Sequence, residues 1–272
     1  MTRFALVGHP VAHSLSPAIH AAAYRALGEE HEYELRDCPR EGDVRQVLAE
    51  LRAGELGGVN ITLPHKRLAL ALADRGDELA TAAGAANVWA RAGSEVIAYN
   101  TDVTALVERF RDLAPRRAWV LGGGGAARAA VTALRAVGSE SITLIARRPS
   151  DISGVDECAW DDAAARLSHE AATVDVIVQA TSAGMAGKDP GQGVAALIPW
   201  GRLRATTLAY DVVYVPSETP FLRAAASAGV AREGGLGMLV GQAVRAVEIW
   251  LSRRPPEAPI REALALRLGG DA

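Results

Sequence analysis

Hydrophobic positions along this chain follow two periods, and each period predicts a different element. In the first hundred residues, short apolar runs predict strands at Phe4–Val7, Glu32–Asp37, Gly58–Thr62, Asn87–Ala90 and Glu95–Tyr99. Between them, apolar positions three or four residues apart predict helices at Pro17–Leu27, at Val44–Ala53 and from a point near Pro64. Strands that alternate with helices indicate an α/β fold.

A second series of the same kind follows. Its predicted strands are Ala118–Leu121, Ser141–Ala146, Val174–Ala180 and Thr207–Val213. Its predicted helices are Val103–Leu113, a segment from the glycine run to Val137, Met238–Arg253 and Pro259–Leu268. The series implies a mostly parallel sheet. We expect one domain at 1–101 and another at 102–237, with the helices of 238–272 packing back on the first.

The first residues of two helices can be predicted individually. Ser16 is predicted to be the N-cap of the first helix and Pro17 its first residue, with Gly28 ending it. Pro64 is predicted at the first position of a later helix, which places Lys66 in the first turn of that helix.

Composition restricts the class of protein. Lysine and arginine total 29 and aspartate and glutamate 32, and the resulting net charge of −3 offers no broad attraction for nucleic acid or an anionic membrane. Cys38 and Cys158 stand far apart, without metal-ligand spacing, so we expect neither a disulfide scaffold nor a metal site. We expect neither a signal peptide nor a membrane span, because the apolar stretch near Phe4 is short and no apolar run approaches about 20 residues. A cytoplasmic protein, monomeric or homodimeric and acting on small molecules, is the expectation.

A glycine run follows the strand Ala118–Leu121. Gly122-x-Gly124-x-x-Ala127 lies between a strand and a helix, which is the context of a dinucleotide-binding turn. Gly122 permits the tight turn, Gly124 permits close approach of a pyrophosphate, and Ala127 permits close helix packing. A flexible turn or a methyltransferase loop has the same local pattern.

The end of the next strand bears on cofactor choice. An NAD enzyme places an acidic residue there, against the ribose 2′-hydroxyl. Here the chain reads Ala146-Arg147-Arg148, with no acid before Asp151. Two guanidiniums at this point favour a 2′-phosphate, and thus NADP, although exposed arginines are also common as solvated surface charges.

Lys66 and Asp102 are the candidate reacting groups. The chain contains only two lysines, Lys66 and Lys188, and uses arginine elsewhere for positive charge. A lysine in the first turn of a helix is disfavoured as a cation by the helix dipole and can exchange a proton. Asp102 follows a strand and would hold the lysine in place. A simple ion pair at a domain boundary fits the same spacing.

Two further segments suggest an anionic ligand. Ser14 and Ser16 stand at the start of a helix, where hydroxyls and free N–H groups can hold a carboxylate. Gln242 lies on a late helix and could reach a substrate hydroxyl. Taken alone, Ser16 is equally a helix cap and Gln242 an ordinary polar residue.

These motifs, taken in order, resemble the shikimate dehydrogenase family over essentially the whole chain. The matching segments are Ser14–Pro17, Asn60–Lys66, Asn100–Asp102, Gly122–Ala127, Ala180–Met185, Asp211–Pro216 and Gly237–Gln242. The resemblance implies an N-terminal α/β substrate domain, a Rossmann-type NADP domain, and the reduction of 3-dehydroshikimate to shikimate by NADPH in aromatic amino-acid biosynthesis.

The resemblance also assigns residues. Lys66 would be the acid/base and Asp102 its partner. The residues expected to hold shikimate are Ser14, Ser16, Thr62, Asn87, Asp102, Tyr214 and Gln242. Those expected to hold NADP are Gly122, Gly123, Gly124, Gly125, Ala126, Ala127, Ala146, Arg147, Arg148, Val212 and Gly235.

Three positions depart from the family pattern. Val88 follows Asn87 where threonine is usual, Gln179 replaces an asparagine, and Arg148 stands where many NADP-using members have threonine. The alternatives are a quinate/shikimate dehydrogenase with relaxed NAD(P) use, a methylene-tetrahydrofolate dehydrogenase, and a non-catalytic ligand-sensing regulator on the same fold. A methylene-tetrahydrofolate dehydrogenase does not account for the serine and Gln242 segments together, and a regulator has no chemical need of Lys66 with Asp102.

Overall fold

The computed structural model describes residues 1–269 and contains two compact units. Unit 1 comprises Met1–Ala105 and the chain from Leu239 onward, and unit 2 comprises Leu106–Met238. Asp102 therefore belongs to unit 1, together with Lys66. The predicted segment 238–272 ends in residues 270–272, which lie outside the described residues.

The elements alternate as the periodicity predicts. The strands are β1 (Arg3–Gly8), β2 (Glu32–Asp37), β3 (Gly58–Ile61), β4 (Arg75–Gly76), β5 (Val88–Ala92), β6 (Glu95–Tyr99), β7 (Arg117–Leu121), β8 (Ser141–Ala146), β9 (Asp156–Ala159), β10 (Val176–Gln179), β11 (Leu208–Asp211) and β12 (Ala231–Glu233). The helices are α1 (Ser16–Leu27), α2 (Glu41–Ala53), α3 (Lys66–Leu72), α4 (Glu78–Ala83), α5 (Thr101–Phe110), α6 (Gly125–Ala136), α7 (Ala163–Glu170), α8 (Gln192–Leu197), α9 (Pro220–Ser227), α10 (Leu236–Leu251) and α11 (Glu257–Leu268). Within residues 1–269 no helix is both long and apolar enough to cross a bilayer.

The sheet of unit 1 has the strand order β2-β1-β3-β5-β6-β4. Strand β1 is parallel to β2 and β3, whereas β5 is antiparallel to β3 and to β6. The carboxyl ends of β1, β3 and β6 therefore meet at one edge of the sheet, and β5 begins there. Apart from Gln242, the candidate substrate residues of unit 1 follow these strand ends or precede β5.

The late helices complete the core of unit 1. The Trp250 indole, on α10, stacks on Phe4 with ring centroids 4.9 Å apart and donates a hydrogen bond to the carbonyl of Trp89 at 3.0 Å. Helix α11 packs against α1 and buries Ile260 and Leu264 completely. Burial of apolar surface of this kind is the main force that holds such helices in place.

The sheet of unit 2 is parallel throughout, in the order β12-β11-β10-β7-β8-β9. From β7 the chain moves to β8 on one side, and later strands continue from β10 on the other side. This reversal is the switch point at which open α/β sheets bind dinucleotides, beyond the carboxyl ends of their strands. The predicted α/β class with a Rossmann-type domain is confirmed.

Most element boundaries agree with the prediction to within three residues, and β2, β6 and β8 agree at both ends. Short elements at sheet edges, namely β4, β9 and β12, were not predicted, because a run of two to four partly exposed residues gives no clear period. Asn87 lies just before β5 and not within it.

Both specific helix starts were predicted wrongly. Ser16 is the first helical residue, and the N-cap position falls on Leu15, which makes no side-chain cap. The Ser14 hydroxyl accepts the Ser16 N–H at 3.2 Å and so forms a turn one step earlier in the chain. Pro64 lies before α3, in a turn that is closed by a hydrogen bond from the His65 N–H to the Thr62 carbonyl. Lys66 remains in the first turn.

Candidate active site

Backbone pairing brings the candidate residues of unit 1 to one edge of its sheet. The Thr62 N–H donates to the Val7 carbonyl at 2.8 Å, which joins the ends of β3 and β1. The Asn87 N–H donates to the Tyr99 carbonyl at 2.9 Å, which joins the start of β5 to the end of β6. Thr62, Asn87 and the residues after Tyr99 are thus neighbours in space although they are distant in sequence.

Lys66 and Asp102 form an ion pair at this edge. The Lys66 Nζ donates to the Asp102 Oδ2 at 2.6 Å, and the two side chains are 17% and 8% exposed. A charged hydrogen bond in such a site is strong and fixes the direction of the ammonium group. The Lys66 carbonyl also accepts the Ala86 N–H at 2.8 Å, so the lysine is held from both its backbone and its side chain. The arrangement can present one proton at a defined point.

Asn87 is fixed by a residue that the sequence did not single out. Its amide Nδ2 donates to the Thr101 Oγ1 at 3.0 Å, and its Oδ1 accepts the Thr101 N–H at 2.7 Å. Both residues are buried. Because Thr101 directly precedes Asp102, this pair also fixes the backbone that carries the carboxylate. Threonine at a helix start is too common for its type alone to have predicted this role.

The serine pair is connected to a tyrosine that was also missed. The Ser14 hydroxyl donates to the Ser16 Oγ at 3.1 Å. On β2 the Tyr33 phenol donates to the Asn60 Oδ1 at 2.6 Å, and Asn60 in turn donates to the Asn87 carbonyl at 3.4 Å. Burial raises the pKa of the Tyr33 phenol well above its usual range, and hydrogen bonding from Ser16 opposes part of that rise. Tyr33 thus lies between the serine pair and the Asn87 segment.

Gln242 is placed differently from the other candidates of unit 1. Its amide donates to the Leu239 carbonyl of its own helix at 3.0 Å. In the part of unit 1 that is described, no hydrogen bond joins it to Lys66, Asp102 or the serine pair. Its predicted contact with substrate stays a prediction.

The glycine turn of unit 2 follows β7 and leads into α6. Gly122 has a φ of 116°, a conformation that favours glycine, and a Cβ there would lie 3.0 Å from the Ala180 carbonyl oxygen. Gly124 occupies the N-cap position of α6, and a Cβ on it would meet nothing within 4 Å. Ala127, in the first turn of α6, is fully buried. The turn is tight on its inner side and open where the helix N-terminus offers its N–H groups.

The loop after β8 presents the two arginines. A Cβ on Gly123 would lie 3.7 Å from that of Ala146, so the loop begins directly beside the glycine turn. Arg147 and Arg148 are exposed, and neither makes an ion pair within residues 1–269. The acids nearby are engaged, since Asp151 pairs with Arg128 and Glu157 accepts the Ser150 hydroxyl at 2.5 Å. Both guanidiniums can therefore receive an anionic ligand.

The candidate residues at the other end of the unit 2 edge follow β11. The Val212 N–H donates to the Gln179 carbonyl at 3.0 Å, which joins the ends of β11 and β10. A Cβ on Gly235 would lie 2.2 Å from the Val212 carbonyl oxygen, so a larger residue cannot occupy that position without moving the loop. Burial raises the pKa of the Tyr214 phenol, which keeps it protonated as a hydrogen-bond donor.

Two family domains match the chain: the shikimate dehydrogenase substrate binding domain at residues 6–89 and the shikimate 5′-dehydrogenase C-terminal domain at residues 235–265. The NADP(+) shikimate dehydrogenase of Aromatoleum aromaticum is 36% identical, covering 98% of both chains. That of Salinibacter ruber is 40% identical, covering 95% of both chains.

Solved structures agree with these relatives. The shikimate 5-dehydrogenase of Thermus thermophilus, in complex with NADP(H) and shikimate, has a TM-score of 0.84 at 35% identity, covering 98% of this chain and 100% of its own. That of Listeria monocytogenes, in complex with shikimate and NAD, has a TM-score of 0.86 at 26% identity, covering 97% and 96%. With such identity maintained over nearly its whole length, the chain belongs to the shikimate dehydrogenase family.

Proposed function

We propose that the protein catalyses the reversible, NADPH-dependent reduction of 3-dehydroshikimate to shikimate. The observation that carries the proposal is the Lys66–Asp102 pair, held at 2.6 Å on the sheet edge where the serine, Thr62 and Asn87 segments converge. Reduction of a ketone needs a proton for the forming alkoxide, and a lysine fixed by a carboxylate supplies one. We assign unit 1, which contains both Lys66 and Asp102, to substrate and unit 2 to the cofactor.

In this scheme Lys66 donates its proton to the alkoxide oxygen and recovers it in the reverse direction. Asp102 orients the ammonium group and accepts a hydrogen bond from a neighbouring ring hydroxyl. Ser14 and Ser16 donate to the substrate carboxylate, while Thr62, Asn87, Tyr214 and Gln242 bind the remaining oxygens. These contacts fix the ring carbon that is reduced, so orientation contributes to the rate as well as to affinity.

The residues of unit 2 fit NADP. The open side of Gly124 and the N-terminus of α6 suit a pyrophosphate, and the two uncommitted guanidiniums suit a 2′-phosphate. We assign the cofactor to the glycine turn from Gly122 to Ala127, to Ala146 and the two arginines, and to Val212 and Gly235. Bound NADPH supplies the hydride.

The runner-up is a quinate/shikimate dehydrogenase that also uses NAD. The Listeria relative was crystallised with NAD, which shows that a protein of this fold accepts that cofactor. Among the residues after β8, the free arginines and the paired Asp151 favour NADP for this chain. We place the enzyme in the cytoplasm, in keeping with two free, buried cysteines.

Initial rates with shikimate and NADP, run beside NAD and quinate, test the proposal. Selective turnover of shikimate with NADP is expected, whereas comparable rates with quinate or NAD would move the protein to the runner-up, and no turnover with any pair would refute both. Lys66→Ala should lower kcat by about two to four orders of magnitude with little change in shikimate affinity. The matched control is Lys188→Ala, which changes the other lysine of the chain, an exposed residue, and should leave turnover intact.

A further inference from the structure

Asp211 is a buried carboxyl group that is not among the residues assigned to substrate or cofactor. It ends β11, is fully buried, and receives three hydrogen bonds from uncharged groups. Its Oδ1 accepts the Val213 N–H at 2.9 Å and the Gln179 amide at 3.2 Å, and its Oδ2 accepts the Thr219 hydroxyl at 2.6 Å. Burying a carboxylate costs free energy, which these three hydrogen bonds offset only in part because none comes from a charged group.

These bonds hold the loop that follows β11 at both ends. The bond to Val213 fixes the turn that contains Val212, and Thr219 caps α9 by accepting the Leu222 N–H. The Gly235 N–H bonds to the Val213 carbonyl at 3.1 Å, so the segment before α10 is tied to the same turn. One carboxyl group thus sets the position of the Val212 carbonyl and of the glycine packed against it.

Gln179 extends the network to a second loop. Its Oε1 accepts the Thr181 N–H at 2.6 Å and the Thr181 hydroxyl at 2.7 Å, and its Nε2 donates to the Ala183 carbonyl at 3.0 Å. A Cβ on Gly122 would lie 3.1 Å from the Thr181 methyl group, so this loop borders the glycine turn. The network of Asp211, Gln179 and Thr219 therefore spans the distance from the glycine turn to the Val212 loop.

The strand order indicates which half of the dinucleotide binds over the ends of β10 and β11. The pyrophosphate belongs at the glycine turn after β7, and the adenosine ribose belongs at the end of β8. The remaining half must extend to the other side of β7, over the ends of β10 and β11. Those two strands end in Gln179 and Asp211.

We infer that Asp211, with Gln179 as its partner, is a positioning residue that sets the two loops against which the nicotinamide half of NADP binds. The inference rests on the proposed function. It predicts that disrupting the network weakens binding of the whole dinucleotide but spares its adenosine half.

The test measures two dissociation constants by titration calorimetry, one for NADP⁺ and one for adenosine 2′,5′-bisphosphate. Asp211→Ala leaves three donors without an acceptor and should raise the Kd of NADP⁺ by about tenfold or more. The Kd of the bisphosphate should stay within about twofold. Asp211→Asn, whose amide oxygen can still accept the Val213 N–H, should restore most of the NADP⁺ affinity.

A second variant and a control complete the design. Gln179→Met keeps the side-chain length but removes the hydrogen bonds of the side-chain amide. It should also raise the Kd of NADP⁺ and not that of the bisphosphate, so the inference can still be tested if Asp211→Ala fails to fold. Asp175 is the matched control: it accepts the Arg116 and Arg117 N–H groups at 2.9 Å at the opposite end of the same sheet. Asp175→Ala should change neither constant.

Three outcomes overturn the inference: both constants rise together, neither changes, or the Asp175 control behaves like Asp211. In each case a wild-type enzyme that reduces 3-dehydroshikimate leaves the proposed function standing. Absence of that turnover, by contrast, removes the proposed function, whatever the ratio of the two constants.

Discussion

The buried carboxyl group of Asp211 should make folding stability depend on pH in an unusual direction. Burial raises its pKa from 3.8 to about 6, and the bonds from Thr219, Val213 and Gln179 oppose only part of the rise. Because the folded state holds this proton more tightly than the unfolded chain does, the contribution to stability is fully present below a pH of about 3.8 and is lost as the pH rises through about 6.

The size of the effect follows from the shift. A displacement of roughly two pKa units corresponds to about 3 kcal/mol in the free energy of unfolding over the full range. Between pH 5 and pH 7.5, where measurement is practical, the linkage relation leaves roughly 1.4 kcal/mol. Ionisation of Asp211 at neutral pH should therefore lower stability by that amount relative to pH 5.

The assay is urea unfolding of the wild type and of Asp211→Asn at both pH values. The asparagine variant has nearly the same shape but cannot titrate. Carboxyl groups with lowered pKa, such as those of Asp74 and Asp175, change stability in the opposite direction, but they are present in both proteins and cancel in the difference. As the pH falls from 7.5 to 5, the free energy of unfolding of the wild type should rise by roughly 1.4 kcal/mol relative to that of the variant. A difference that stays constant across this range would refute the reasoning.

Three further predictions concern ligand recognition. Tyr33→Phe removes the phenol beside the serine pair and should raise the KM for shikimate several-fold without changing the KM for NADP. The control is Tyr24→Phe, which removes a buried hydroxyl with no hydrogen-bond partner within residues 1–269 and should leave both KM values unchanged. Ser14→Ala should raise the shikimate KM with little loss of kcat, because its contact is equally strong in the ground and transition states; a fall in kcat alone would contradict this role. Replacing Arg147 and Arg148 by alanine should lower the kcat/KM preference for NADP over NAD by about tenfold or more, and an unchanged preference would show that they are only surface charges.

Much of the fold could be predicted from local pattern, because periodicity and glycine position depend on neighbours in sequence. The order of Gly122, Gly124 and Ala127 between a strand and a helix indicated the dinucleotide turn, and the scarcity of lysine singled out Lys66. Start points were less accurate, since Ser14 forms a turn that displaces the expected cap at Ser16. Helix-start rules treat each position separately and do not include such competition.

The parts of the site that the sequence did not predict depend on strand pairing. Tyr33 lies near the serine pair because β1 pairs with β2 on one side and with β3, which carries Asn60, on the other. Thr101 meets Asn87 because β5 and β6 are antiparallel. Gln179 stands out in sequence only as a departure from the family pattern, and its bonds to two loops could not be foreseen before the ends of β10 and β11 were known to be adjacent.

The division of unit 1 into two stretches of chain has a consequence for its synthesis. The ribosome completes Met1–Ala105 long before it reaches Trp250, Ile260 and Leu264, which close the core of that unit. Until then the nascent first hundred residues lack Trp250, which stacks on Phe4, and α11, which packs on α1. Unit 2 can fold in the meantime because its own chain is continuous. The pair of Lys66 and Asp102 is thus translated early, but the unit that holds it becomes complete only when the last helices emerge.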